Sequence, residues 1–324
     1  MTAKATPVPF DPEIAPILQV MPPNTAPTVA EIPAMRSAGA MPTPSAADVV
    51  AGRAIDVEER TIPGPPDAPD LEVTILRPHG ASSAVPGLYN IHGGGMIMGH
   101  RSMDTGRLAD LVDELRVVAV NVEYRLAPEH PDPAPVEDCY AGLVWMSQHA
   151  AELGVDPERI VVMGGSAGGG LAAGVALLAR DRKGPRLAGQ LLLCPMIDDL
   201  NTTVSSYQYD GIGTWPRAMN LIGWQALLGD KAGDPEADVS IYAAPARAED
   251  LTDLPPAFIE AGSAEMFRDE DVAYASRIWA VGGQAELHVW SGGFHGFDMF
   301  APESALTRAA LASRSNWLRR ILGL

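Results

Sequence analysis

The sequence predicts an α/β fold: a mostly parallel, eight-stranded sheet flanked by helices, with a helical cap over one end. Two observations carry that expectation. Eight short apolar or alternating runs between residues 54 and 290 are spaced, from the fourth onward, by helix-length stretches, the pattern that βαβ units leave in a sequence. One of these runs, Val161-Val162-Met163, stops at Gly164-Gly165-Ser166-Ala167-Gly168, and small helix-compatible residues follow at once. A strand that turns this tightly into a helix needs neighbours without bulky side chains. It leaves one serine hydroxyl exposed at the positive end of the helix.

The elements follow in order. The first 45 residues carry ten prolines and short apolar patches such as Ile14 to Met21, which suits an extended arm or short helices packed over another part of the chain. Residues 1–50 are therefore read as an N-terminal cap segment. Ala54 to Arg60 and Leu71 to Pro78 read as strands around the turn-rich Pro63-Gly64-Pro65-Pro66, and Gly87 to His92 as a third. Val117 to Glu123, Ile160 to Gly164, Gln190 to Cys194, Pro256 to Ala261 and Glu286 to Trp290 complete the strands. Helical stretches lie near 103–115, 135–152, 168–181 and 269–281, with a last helix over 303–322. Residues 196–250 break the rhythm in a connection too long for a plain loop, holding Trp215 and Trp224. We assign 196–245 to an inserted cap segment and 51–195 with 246–324 to the catalytic domain. In such sheets, sites form beyond the carboxyl ends of the strands.

Composition narrows the partners. A chain of 324 residues, 47% hydrophobic, can bury one large core. Its net charge of −18 repels phosphate backbones and anionic membranes, so neither nucleic acid nor a membrane is expected as a partner. The two cysteines, Cys139 and Cys194, make no disulfide framework and are read as buried thiols. Pro7, Pro9, Pro12 and Pro16 interrupt the start before any stretch resembling a secretory leader, and no run approaches the roughly 20 apolar residues of a membrane span. A cytoplasmic protein is the expectation.

The third strand ends in Ile91-His92-Gly93-Gly94-Gly95-Met96. Consecutive glycines leave backbone N–H groups unshielded, and Gly94, Gly95 and the amide of Ala167 are the expected oxyanion-hole donors, each worth about 3 kcal/mol to a transition state. Phosphate-binding readings fail on spacing, because neither glycine cluster has a Gly-x-Gly-x-x-Gly register or a following Lys-Ser or Lys-Thr. No second ligand stands at metal spacing beside His92, so no metal and no cofactor are expected. Of the seven histidines, His295 has the setting of a general base, in the glycine-flanked loop Ser291-Gly292-Gly293-Phe294-His295-Gly296-Phe297 after the last strand. A serine–histidine pair needs a carboxylate between them in chain order. Glu265, in the loop closing the strand at 256–261, is the first choice; Asp269, then Asp198 and Asp199, are the alternatives. Asp269 and Glu270 otherwise read as the first turn of the next helix.

His92-Gly93-Gly94-Gly95, Tyr124-Arg125-Leu126-Ala127-Pro128-Glu129, Glu137-Asp138, Gly164-Gly165-Ser166-Ala167-Gly168-Gly169 and His295-Gly296-Phe297 together resemble the bacterial hormone-sensitive-lipase-like, or family IV, carboxylesterases. The resemblance spans roughly residues 85 to 300. It implies an α/β-hydrolase fold with a helical cap, no cofactor, and hydrolysis of short- to medium-chain acyl esters by Ser166, Glu265 and His295. Where the family has Asp-Pro-Leu at the acid, this chain has Glu265-Met266-Phe267, one methylene longer. Met96 stands where the family has phenylalanine after the oxyanion glycines, and with Met98 is expected to soften the pocket wall. Amide, carbamate or lactone hydrolysis would use the same residues, and a silent ligand receptor on this scaffold would typically lack the triad histidine, whereas this chain keeps all three members. A homodimer through the last strand rests on analogy alone.

Overall fold

The computed structural model describes residues 6–21, 25–39, 44–80 and 83–324; residues 1–5, 22–24 and 40–43 of the expected N-terminal cap segment lie outside the described residues. Among the described residues three short helices come first, α1 (Ala15–Val20), α2 (Ile32–Gly39) and α3 (Ala46–Val49). The strands are β1 (Ile55–Ile62), β2 (Leu71–Pro78), β3 (Val85–Ile91), β4 (Val118–Val122), β5 (Val155–Gly165), β6 (Gly189–Leu193), β7 (Ala257–Gly262) and β8 (Ala285–Trp290). Between them lie α4 (Thr105–Leu115), α5 (Ala134–Gln148), α6 (Ala150–Leu153), α7 (Ala167–Asp181), α8 (Val204–Gln208), α9 (Arg217–Leu228) and α10 (Arg268–Ala280). A single turn, α11 (Phe297–Phe300), and a long helix, α12 (Ala305–Leu322), end the chain.

The strands form one eight-stranded sheet in the order β1-β2-β4-β3-β5-β6-β7-β8, antiparallel at β1–β2 and β2–β4 and parallel from β4 to β8. Burial explains the residue choice. Every residue of β4, β6 and β7 is buried, so these strands are mostly apolar on both faces rather than alternating, with Asn121, Gln190 and Glu260 as their buried polar members. Successive side chains still part to opposite faces: Val162, Leu192 and Ile259 join one core with the apolar side of α7, while Val161, Leu191 and Phe258 join another with Leu108 and Val112 of α4 and Trp317 and Leu318 of α12.

Of the boundaries that differ from the sequence reading, three have a local cause. β5 begins at Val155, because Val155 pairs with Val85 across a register shift before the apolar run at Ile160. The predicted helix over 135–152 breaks at His149, whose Nδ1 lies 2.9 Å from the Trp145 carbonyl, into α5 and α6. β6 ends at Leu193: Cys194 takes a left-handed conformation (φ 40°), outside the strand, while its amide donates to the Glu260 carbonyl at 2.6 Å.

The N-terminal segment folds back over the carboxyl end of the sheet. Ile14, fully buried, packs with Phe294 and Phe297. The Phe10 ring lies edge-on to Phe294 and tilted against Tyr209, and the Tyr209 hydroxyl donates to the Val8 carbonyl at 3.0 Å. The long connection between β6 and β7 carries α8 and α9. Its base is closed by a two-pronged ion pair, Arg247 Nε to Asp199 Oδ1 at 2.6 Å and Arg247 Nη2 to Asp199 Oδ2 at 2.8 Å.

Candidate active site

Ser166 sits between β5 and α7 with φ 57° and ψ −123°, a region that non-glycine residues occupy only under strain. The surrounding glycines are there because side chains would collide with backbone. A Cβ on Gly164 would stand 2.2 Å from the Gly168 carbonyl oxygen, and one on Gly168 2.0 Å from that of Ile91. The Ser166 amide donates to the Leu193 carbonyl at 2.8 Å, and its carbonyl accepts from Gly170 and Met196 at 3.0 Å each, so the elbow is fastened on both sides. Ala167 is the first residue of α7, where a backbone N–H has no partner within the helix.

His295 and Glu265 arrive from the two outer parallel strands. His295 Nε2 lies 3.0 Å from Ser166 Oγ, and His295 Nδ1 lies 2.5 Å from Glu265 Oε2. The other Glu265 oxygen accepts from the Gly262 amide at 2.6 Å, and the carboxylate is buried at 3% exposure. Phe267 stands edge-on to the imidazole at 5.0 Å, and the Thr214 hydroxyl of the long connection donates to the His295 carbonyl. Three residues far apart in sequence thus form one hydrogen-bonded line. The alternative acids are engaged elsewhere. Asp269 accepts from the Ser205 amide at 2.7 Å and pairs with Arg268; burial pushes its carboxyl up, but Arg268 and Ser205 outweigh that and hold it below its ordinary range. Asp198 accepts from Leu200, and Asp199 serves Arg247. Asp269 and Glu270 do stand in the first turn of α10, and Glu270 Oε1 accepts from the amides of Ile197 and Asp198 at 3.0 and 3.1 Å.

The glycine triplet lies against the elbow. A Cβ on Gly93 would approach the Gly165 carbonyl oxygen at 2.9 Å, one on Gly94 the Met98 carbonyl oxygen at 2.0 Å, and one on Gly95 the Trp215 ring at 2.3 Å. Gly94 and Gly95 both have positive φ, 120° and 62°. His92 supports this loop from beneath: it is fully buried, stacks on Tyr124 at 4.2 Å, and its Nδ1 lies 2.8 Å from the Gly93 carbonyl. Burial pushes the His92 imidazole below its ordinary pKa. The Tyr124 hydroxyl donates to the His92 carbonyl at 3.0 Å, and Arg125 grips buried Asp138 through both Nε and Nη2.

Two expectations about the wall are corrected. Met96 is fully buried in the core beneath the loop and does not face the cavity; Met98 alone of that pair lines it. Cys194 is half-buried rather than buried and borders the cavity, because its left-handed kink turns it out of the strand. Burial, reinforced by nearby Glu265, pushes its thiol well up. Cys194, Glu265 and His295 bring ligand-type atoms within 4.8 Å of one another, but both His295 nitrogens already have partners, so the geometry favours proton transfer over metal binding. The cavity over Ser166 measures about 220 Å³. Sequence reasoning did not identify Trp215, Met103, Arg107, Asp298, Met299 and Phe300 in its wall. No local motif marks them, since three separate segments supply them.

A family model for the α/β-hydrolase fold matches residues 88–299. The chain belongs to the α/β-hydrolase family. Among relatives of this α/β hydrolase is Carboxylesterase NlhH of Mycobacterium tuberculosis, 35% identical over 255 residues and 76% of each chain. Among solved structures, a bacterial heroin esterase superposes with a TM-score of 0.88 at 38% identity, covering 97% of this chain and 98% of that one. An esterase of Pyrobaculum calidifontis does so with a TM-score of 0.83 at 30% identity, covering 97% and 99%. Among the described residues of the hydrolase no helix is long and apolar enough to cross a membrane.

Proposed function

We propose that this α/β hydrolase is a serine carboxylesterase acting on short- to medium-chain acyl esters through an acyl-enzyme. The observation that carries the reading is the Glu265–His295–Ser166 hydrogen-bonded line ending at a strained elbow beside a glycine triplet. Ser166 Oγ attacks the ester carbonyl carbon while His295 Nε2 takes the hydroxyl proton. Glu265 holds the imidazole in the tautomer that frees Nε2 and stabilises the imidazolium. Gly94, Gly95 and Ala167 donate to the oxyanion. As it collapses, the ester C–O bond breaks, and the alkoxide leaves with the proton from His295. Water, deprotonated by His295, then attacks the acyl carbon, the C–Oγ bond breaks as His295 returns the proton to Ser166 Oγ, and the carboxylic acid leaves and ionises in solvent. No cofactor enters any step.

The N-terminal segment (1–50) and the insertion (196–245) act as one cap over residues 51–195 and 246–324; the Phe10–Tyr209 contact and Trp215 above the glycine loop support this division. The two free cysteines fit a cytoplasmic setting, and Val289 exposed on edge strand β8 supports a homodimer along that edge. Ser166→Ala is expected to abolish turnover of p-nitrophenyl butyrate while leaving the melting temperature within a few degrees. A fluorophosphonate should add its mass to Ser166 in the wild type alone. Full turnover in Ser166→Ala would overturn the assignment.

A further inference from the structure

The space around Ser166 does not end at the wall of its cavity. A second cavity, of about 330 Å³, lies between α4, α12 and the turn after α11. Met103, Arg107, Leu193, Asp298 and Met299 line both spaces, so the two cavities adjoin across these shared side chains. They differ in freedom. Arg107 is held by Asp104 at 2.6 Å. Asp298 is held by Arg314 at 2.7 Å, where burial raises its carboxyl but Arg314 and Arg107 pull it down to about 2. This charged band is fixed. Met103 and Met299, by contrast, are 47% and 48% exposed, unbranched, and able to change rotamer at little cost. Behind them the floor is apolar sheet surface, Met163, Leu191 and Leu193, with Leu111 and Leu318 from the helices. At about 220 Å³ the cavity over Ser166 is smaller than the roughly 300–1,000 Å³ typical of small-molecule sites, and the second cavity brings the space into that range.

We propose that the cavity between α4 and α12 is a distal subsite that receives the far end of an extended apolar arm of the substrate, with Met103 and Met299 as its movable gate. The inference rests on the esterase reading. The arm belongs either to the acyl group or to the alcohol, and the two are separated by experiment. Leu311 lines only the second cavity, from an exposed position on α12, and touches none of the catalytic machinery. Leu311→Trp should fill it. kcat/KM is measured for p-nitrophenyl esters from acetate to decanoate, and for acetates of alcohols from ethanol to decanol. In Leu311→Trp, acetate turnover should stay within twofold of wild type, and the longest members of one series should fall at least tenfold, naming the arm. Met299→Ala should raise the same members. If acetate turnover is lost as well, the substitution has disturbed the fold, and Ser315→Phe at the cavity lip decides by the same ratio. Unchanged chain-length profiles in both variants would overturn the subsite. A wild-type protein that hydrolyses no ester at all would instead remove the esterase reading, and the subsite with it.

Discussion

Glu265 and Asp269 stand four residues apart, one in the loop after β7 and the other in the first turn of α10, yet only one of them touches the imidazole. Chain order alone admitted both, together with Asp198 and Asp199. What separates them is where β7 ends, since the Gly262 amide fixes one Glu265 oxygen and aims the other at His295. Glu265→Gln is expected to lower kcat on the order of 10³-fold by offering His295 an amide instead of a carboxylate. Asp269→Asn should lower it less than about tenfold, because that side chain serves Ser205 and Arg268. Parallel steady-state kinetics of the two variants check the ranking. Asp271 makes a different prediction. It is fully buried and both its oxygens are without a hydrogen-bond partner among the described residues. Burial first, then Glu270 and Glu265, push its carboxyl well up. The folded state therefore binds its proton more tightly than the unfolded chain, and stability is lost as pH rises toward the folded pKa. Asp271→Asn escapes that loss. Its melting temperature should exceed wild type at pH 8.5, by about 2 °C or more if the gain reaches ~1 kcal/mol, and by less at pH 5.5.

Among elements, the β5–α7 elbow shows how a motif legible in sequence acquires its reason only in packing. Gly-x-Ser-x-Gly was readable at once, but the requirement for Gly168 comes from the Ile91 and His92 carbonyls at the end of β3, which a Cβ would meet at 2.0 and 2.6 Å. Those carbonyls border the glycine triplet. Gly168→Ala should therefore damage both halves of the site at once, lowering kcat at least 100-fold and stability by about 2–3 kcal/mol. Gly106→Ala on α4, where a Cβ meets nothing within 4 Å, should be neutral or stabilising by up to about 1 kcal/mol. Thermal melts and ester turnover of the pair test this. The strand segments along the chain and the candidates Ser166, Glu265 and His295 were legible because periodicity, glycine runs and chain order are local signals, whereas the order of the strands in the sheet was not. The fate of Met96 and Cys194 was not: Met96 sinks into the core beneath its loop, and Cys194 turns outward because its own backbone adopts φ 40°, which no neighbouring residue type announces.

For the whole molecule, Phe10, Tyr209 and the carbonyls of Thr6 and Val8 form one junction between the N-terminal segment and the β6–β7 connection, and α9 against residues 29–31 forms another. Phe10→Ala should loosen the first junction, raising KM for p-nitrophenyl butyrate severalfold with kcat nearly unchanged; a kcat loss with constant KM would place Phe10 in the chemistry instead. The wall residues Arg107, Asp298, Met103 and Met299 escaped the sequence reading because they meet only after α4, α11 and α12 have packed. The Arg247–Asp199 clasp has a consequence for how this chain can be altered. By holding the entry and exit of residues 200–246 side by side, it makes the intervening chain a replaceable cassette whose loop-closure cost depends only weakly on its length. Grafting a foreign stretch between these two residues should alter which molecules reach Ser166 while leaving the catalytic sheet to fold as before.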